Sequence, residues 1–228
     1  MHYPDRPVLL QRTAPFTNIL LAINIGVYLL LELSGGSSNP WVLLRYGAKF
    51  APLIRAGEPW RLLTSMFLHS GLLHLSMNSF SLHNLGNVTE RLFGSKRFLL
   101  AYLASGLCGS IVSTLLADPR VIGVGASGAI FGLAGCLFYF GLRFPRHFAL
   151  IAGMRFVFIV LLNLAIGFTS PLIDNYAHLG GLISGFAAAY ALGLPGERTG
   201  ESRQLARRVF LSLMLIGAAA AAWPVPLR

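Results

Sequence analysis

The sequence predicts an all-α fold: a polytopic bundle of helices in a lipid bilayer. Of its 228 residues, 55% are hydrophobic and only 11% are charged, against about 25% charged in an ordinary soluble domain. The mean hydropathy is +0.66. The apolar residues form long blocks rather than narrow amphipathic stripes, which is typical of membrane-spanning helices.

Seven apolar blocks predict seven transmembrane helices. The second block carries polar side chains, which are costly in lipid, so we expect it to face the protein interior and to serve a function. Between the first two blocks, residues 34–71 mix aromatic, apolar and basic side chains, which favours a segment in the membrane interface over an ordinary external loop. The blocks are Phe16–Leu33, Leu72–Val88, Phe98–Leu116, Ser127–Leu142, Arg155–Phe168, Tyr176–Leu192 and Val209–Ala222.

The net charge of +10 does not indicate a nucleic-acid-binding protein. The basic residues lie in short segments between apolar blocks, where they set topology and contact anionic lipid headgroups. Twelve of the eighteen lysines and arginines fall on one side of the predicted membrane, which places the N-terminus in the cytoplasm and the C-terminus outside. These are Arg6, Arg12, Arg91, Lys96, Arg97, Arg143, Arg146, Arg155, Arg198, Arg203, Arg207 and Arg208.

Three blocks place polar groups at one membrane face. The second, fourth and sixth run inward from the outer side, and near their first turns they carry His74 and Asn78, Ser127, and His178, respectively. The fourth block is about 24 Å long, less than the roughly 30 Å hydrocarbon core. Ser127 is therefore expected within the membrane, in a cavity that opens outward to water.

A serine hydroxyl becomes a nucleophile when a base accepts its proton, and a neutral imidazole can be that base. Free backbone N–H groups at the start of the fourth helix would stabilise negative charge on an attacked carbonyl oxygen, and His74 and Asn78 could add donors. We expect Asp174 to cap the sixth helix. The prediction is therefore a Ser127–His178 dyad rather than a triad.

Two pairs of glycines predict close packing of the helices that carry this dyad. Gly128 and Gly132 are four residues apart, as are Gly181 and Gly185. Each pair leaves a flat strip along one helix face, and such strips let two helix backbones approach closely in membranes.

These motifs, taken together and in order, resemble the rhomboid intramembrane serine proteases. The resemblance runs from about Trp60 to Leu192. It comprises WR at 60–61, HLSMN at 74–78, GASG at 125–128 and AHLGGLISG at 177–185. The order and the placement on predicted helices make the combination far more specific than any one motif.

The resemblance implies a protease that cuts transmembrane segments of single-span or polytopic membrane proteins near the outer surface. Ser127 would be the nucleophile and His178 the base. His74, Asn78 and the backbone N–H groups of Ser127 and Gly128 would form the oxyanion site. No cofactor or metal is implied, and His69, His74 and His83 do not share one helix face as metal ligands would. Packing or structural roles would fall to Trp60, Arg61, Glu90, Gly125, Phe131, Gly132, Gly181 and Gly185.

The resemblance also divides the chain. It implies an N-terminal cytoplasmic segment (1–15), a six-helix catalytic core (16–194) and a basic loop with one extra C-terminal helix (195–228). Glu90 is expected to form hydrogen bonds or an ion pair with an arginine. Phe131 replaces a tyrosine that many bacterial members have, and its ring can still stack on the imidazole.

Some alternatives stay open. Residues 167–174 are either a mobile cap over the cavity or a static loop. The protein could bind membrane clients without cutting them, or transport a small solute along His74, Asn78 and His178. The Arg-rich, compact chain without a targeting extension favours a bacterial inner membrane. The sequence makes no prediction of oligomeric state.

Overall fold

The chain forms a bundle of α-helices. A computed structural model describes residues 13–170, 173–197 and 200–224, and these ranges hold eleven α-helices, one 3-10 turn and no strand beyond an isolated bridge. The predicted all-α class is confirmed. The helices are α1 Pro15–Leu33, α2 Pro40–Arg45, α3 Ala51–Arg55, α4 Arg61–Thr64, α5 Leu72–Phe93, α6 Ser95–Leu116, α7 Ser127–Arg143, α8 Pro145–Ile151, α9 Gly153–Thr169, α10 Asn175–Leu192 and α11 Glu201–Ala222.

Several helices suit a bilayer. Among the described residues, α1, α6 and α11 are each long and apolar enough to cross a membrane. Helices α8 and α9 meet that test together, with a bend of 73° between them. Helix α7 is apolar but has only 17 residues, which gives a length of about 25 Å.

The last helix differs from the prediction. The sequence predicts a basic loop before Val209, but α11 begins at Glu201, so Arg203 and Arg207 lie within its first turns. Arginine is a good helix former, and its long side chain carries the charge away from the helix. Here Arg207 Nε donates to the Ala191 carbonyl at 2.7 Å, which gives one of the last carbonyls of α10 a partner.

Residues 34–71 fold against the bundle as three short α-helices and the 3-10 turn Ser65–Phe67. Arg61 organises this segment, since its buried guanidinium donates to the carbonyl oxygens of Leu44 at 2.6 Å and Ala48 at 3.2 Å. It also pairs with Glu58 at 2.6 Å and lies over the Trp60 ring at 4.6 Å. The location of this segment in the membrane interface stays a prediction.

Glu90 joins the starts of two helices. It is fully buried in α5, and its two carboxylate oxygens accept the N–H groups of Phe16 (3.0 Å) and Thr17 (2.8 Å), the Thr17 hydroxyl (2.8 Å) and the Ser95 hydroxyl (2.7 Å). These donors lie in the first turns of α1 and α6, where a negative charge is favoured. Of the two expected roles, the described residues show hydrogen bonding and no ion pair with arginine.

Replacing Glu90 by glutamine should lower the free energy of unfolding by about 2–3 kcal/mol, because an NH₂ group would face donors that need an acceptor. Unfolding in mixed SDS micelles measures this change. Glu201→Gln, at an exposed carboxylate, should change the value by only about 0.5 kcal/mol. If both variants unfolded at the same SDS midpoint, Glu90 would not stabilise the protein through these hydrogen bonds.

Backbone contact joins α7 to α10. A methyl group added at Gly181 would overlap the carbonyl oxygen of Gly128, and one added at Gly185 would overlap that of Gly132. Between them the two helices leave no space for a Cβ at these crossing points. The glycines therefore set the distance between the two helices whose first turns carry Ser127 and His178.

Gly185→Ala should destabilise the protein by about 1–3 kcal/mol, because the new methyl group must push α10 away from α7. Gly26→Ala is the matched control, since nothing lies within 4 Å of a methyl group at Gly26 in α1. The control should stabilise the protein slightly through helix propensity. Thermal unfolding in detergent measures both, and the same shift for both would refute the packing argument.

Candidate active site

A small cavity lies at the N-terminal end of α7. Its volume is about 30 Å³, and Ser127 lines it together with Lys49, Asp174 and Ala177. A cavity needs a volume of roughly 10–15 Å³ to hold one water molecule. A water molecule therefore fits in a cavity that Ser127 lines.

His178 lies in the first turn of α10, beside this cavity. Its imidazole is only 8% exposed and stacks on the Phe131 ring, with centroids 4.2 Å apart and planes 17° from parallel. Phe131 is one turn after Ser127 on α7. A methyl group at Gly128 would lie 3.3 Å from the Ala177 carbonyl oxygen. The residues next to Ser127 and His178 are thus in contact across the helix interface.

Among the described residues, neither the Ser127 hydroxyl nor the His178 ring forms a hydrogen bond. The Nδ1 atom of His178 is buried without a partner, and no hydrogen bond joins the ring to Ser127 within the described residues. Catalytic hydrogen bonds are often long in unliganded sites and shorten when substrate binds.

Backbone N–H groups are available next to Ser127. The N-cap of α7 is Ala126, which offers no side-chain acceptor, so the first-turn N–H groups of Ser127 and Gly128 lack helical partners. Gly125 has φ +118°, a left-handed conformation that favours glycine. A methyl group there would lie 2.7 Å from Nε2 of His74, so glycine also admits this ring.

His74 and Asn78 differ in where their side chains lie. His74 contacts the loop before Ser127, as described above. Asn78 is buried, and its side-chain amide donates to the carbonyl oxygen of His74 at 3.0 Å within α5. The structure therefore brings His74 to the site and leaves the Asn78 amide bonded to its own helix.

His69 is a site residue that sequence reasoning missed. It is fully buried, its Nε2 accepts the N–H of Ala126 at 3.4 Å, and its ring meets that of His74 edge-on at 5.2 Å. From the sequence, His69 stands out only as one of three histidines that do not share a helix face as metal ligands would, and the described residues hold no cluster of three or more metal-binding side chains. Its place just before the polar helix, at the predicted site face, was the available signal.

Asp174 caps α10. Its Oδ1 accepts the N–H of Ala177 at 3.0 Å, and its Oδ2 binds Lys49 Nζ at 3.2 Å and the Ser113 hydroxyl. Burial alone would raise the pKa of Asp174, but these partners outweigh it and hold the pKa below its ordinary value. Because Nδ1 of His178 has no partner, the Asp174 carboxylate does not orient the imidazole.

The loop predicted at residues 167–174 is shorter than expected. Helix α9 continues to Thr169, so Gly167 is helical. The missing side chain of Gly167 makes room for the side chain of Asn175. The buried Asn175 amide donates to the Leu164 carbonyl at 2.9 Å and ties α10 to α9. Residues 171–172 of this loop lie outside the described residues.

Comparison with known proteins supports one family. A family model described as the Rhomboid domain matches residues 56–195. The chain is 44% identical to the Rhomboid protease GluP of Bacillus subtilis over 198 residues, covering 87% of this chain and 39% of that protein. It is 43% identical over 142 residues to the RHOMBOID-like protein 6, mitochondrial, of Arabidopsis thaliana, covering 61% of this chain and 46% of that one. It is 31% identical over 187 residues to the Putative rhomboid protease YdcA of Bacillus subtilis, covering 82% of this chain and 93% of that protein.

The apolar helices and this match define an integral membrane protein built from α-helices. The chain belongs to the rhomboid family. It spans about half the length, or less, of the first curated relatives that it matches.

His69→Ala should loosen the loop before Ser127, because the Ala126 N–H loses its acceptor. We expect faster hydrogen exchange in peptides covering 121–128 and a loss of about 1–3 kcal/mol of stability. Mass spectrometry of the protein in detergent measures the exchange. His83→Ala, at an exposed histidine on α5, is the control. Unchanged exchange in His69→Ala would exclude this role.

Proposed function

We propose that this protein is an intramembrane serine endopeptidase that uses a Ser127–His178 dyad. The observation that carries the proposal is the junction of α7 and α10. There the His178 imidazole stacks on Phe131, one turn from Ser127, and the Gly128 and Ala177 backbones meet beside the cavity that Ser127 lines. The names of the curated rhomboid relatives support the same activity.

The proposed reaction begins when His178 Nε2 accepts the Ser127 proton as Oγ attacks the scissile carbonyl carbon. The carbonyl oxygen becomes negative in the tetrahedral intermediate. The N–H groups of Ser127 and Gly128 stabilise that charge, with His74 as a further donor and Asn78 after its side chain rotates away from α5. The imidazolium then gives its proton to the leaving amine, and an acyl-enzyme remains.

Water completes the cycle. His178 takes a proton from a water molecule, the hydroxide attacks the acyl carbon, and Ser127 leaves with the proton returned. The surroundings of Ser127 support access of water, since polar side chains and a water-sized space lie beside it. No metal or cofactor takes part in these steps.

The substrates that fit such a site are transmembrane segments of other membrane proteins, cut where they reach the cavity. We place the protein in a bacterial inner membrane with its N-terminus in the cytoplasm and the site open to the outer side. The distribution of basic residues supports this orientation. The similarity to the Bacillus GluP protein supports a bacterial membrane.

The test uses purified protein in liposomes, a single-span fluorogenic substrate and a fluorophosphonate or isocoumarin probe. Wild type should cleave the substrate and label at Ser127. Ser127→Ala should abolish labelling, and His178→Ala should lower cleavage by roughly 10³-fold or more. Ser76→Ala and His83→Ala change exposed residues of the same types on α5 and should retain activity.

Two outcomes would overturn the proposal. Cleavage that survives Ser127→Ala would exclude the nucleophile. A folded wild type that neither labels nor cleaves would favour client binding without catalysis, and solute flux in that protein would favour a transporter.

A further inference from the structure

Lys49 belongs to the segment between α1 and α5, yet it reaches both candidate catalytic helices. Its backbone forms an isolated antiparallel bridge with Gly123, in which each residue donates its N–H to the other's carbonyl at 2.9 Å. Gly123 lies four residues before Ser127 in the loop that leads into α7. Lys49 therefore fixes this loop through its main chain.

The Lys49 side chain makes a second connection. It crosses the face of Gly123, where an added methyl group would lie 2.6 Å from Lys49 Cε. The side chain is only 4% exposed, and Nζ binds the Asp174 carboxylate at 3.2 Å and the Ser113 hydroxyl. Asp174 accepts the N–H of Ala177 through Oδ1 and the N–H of His178 through its carbonyl at 3.1 Å.

We propose that Lys49 is a positioning residue for the dyad. It joins the loop that carries Ser127 to the helix turn that carries His178, and so it fixes the separation of hydroxyl and imidazole. This inference rests on the proposed function. Among the described residues, no hydrogen bond or ion pair joins Lys49 to the Ser127 hydroxyl or the His178 ring, so its effect acts through Gly123 on one side and through Asp174 on the other.

The physical reason lies in the burial of the Lys49 ammonium group, since the Lys49 side chain is 4% exposed and that of Asp174 is 25% exposed. A buried ion pair adds little net stability relative to an apolar pair, but it has one preferred geometry, and losing one partner leaves an unpaired charge. Displacing a reacting group by about 1 Å can lower a rate by about 10²-fold. The expected signature is therefore a loss of rate that exceeds the loss of stability.

The molecule contains a control pair. Arg120 and Asp118 form an ion pair at 3.1 Å in the same loop between α6 and α7, but their side chains are 85% and 45% exposed. An exposed pair of this kind contributes little to structure. Removing it tests whether any charge change in this loop alters the rate.

The experiment measures the rate of fluorophosphonate labelling, kcat and KM for a fluorogenic substrate, and the thermal midpoint in detergent. Lys49→Met removes the charge and keeps the length. Asp174→Asn removes the charge but keeps an oxygen that can cap α10, so it separates pairing from capping. The double variant Lys49→Met/Asp174→Asn completes a cycle, and Arg120→Met is the control.

We expect each single variant to lower the labelling rate and kcat by about tenfold or more, with KM within about twofold. The double variant should be no slower than the slower single variant, since both changes break one connection. Arg120→Met should match wild type.

Other outcomes overturn the inference. Wild-type rates in Asp174→Asn with a normal midpoint would show that the pair does not position the dyad. A fall in rate that only follows the fall in the thermal midpoint would assign Lys49 to folding alone, as would multiplicative effects in the double variant. A wild type that does not label at all would instead refute the proposed function.

Discussion

The main-chain contact between α7 and α10 is the constraint on which the rest of the molecule depends. It exists because four glycines leave carbonyl oxygens of α7 directly against α10. In a bilayer, apolar side chains gain little by leaving lipid for a helix interface, so close van der Waals approach drives such packing. A short hydroxyl and an imidazole on two helices can cooperate only if the backbones come this near.

Much of this arrangement could be predicted from the sequence. The pattern of apolar blocks predicts the all-α fold class, and in the structure α5 and α7 begin at the predicted residues Leu72 and Ser127. Polar residues at three aligned helix ends predict a site in the region where the structure has the cavity lined by Ser127. Such signals are strong because a polar residue in a membrane helix needs a reason to be there.

Contacts between distant residues could not be predicted in this way. Nothing near Lys49 in the sequence indicates that it bonds to Gly123 and Asp174, and nothing near His69 indicates that it accepts the Ala126 N–H. These partners are brought together by how the segment between α1 and α5 folds back onto the bundle. The predicted start of the last helix, Val209, was wrong for a different reason. A charged helical turn and a basic loop have similar compositions.

The attachment of α10 at both ends has a mechanical consequence. At one end its capping carboxylate is bound to Lys49 and Ser113. At the other end, guanidinium groups of Arg97 and Arg207 bind the carbonyl oxygens of Leu192 and Ala191. A piston-like slide of this helix would have to break charged contacts at both termini at once. These contacts therefore oppose movement of α10 along its own axis and hold His178 at a fixed height relative to Lys49 and Arg97.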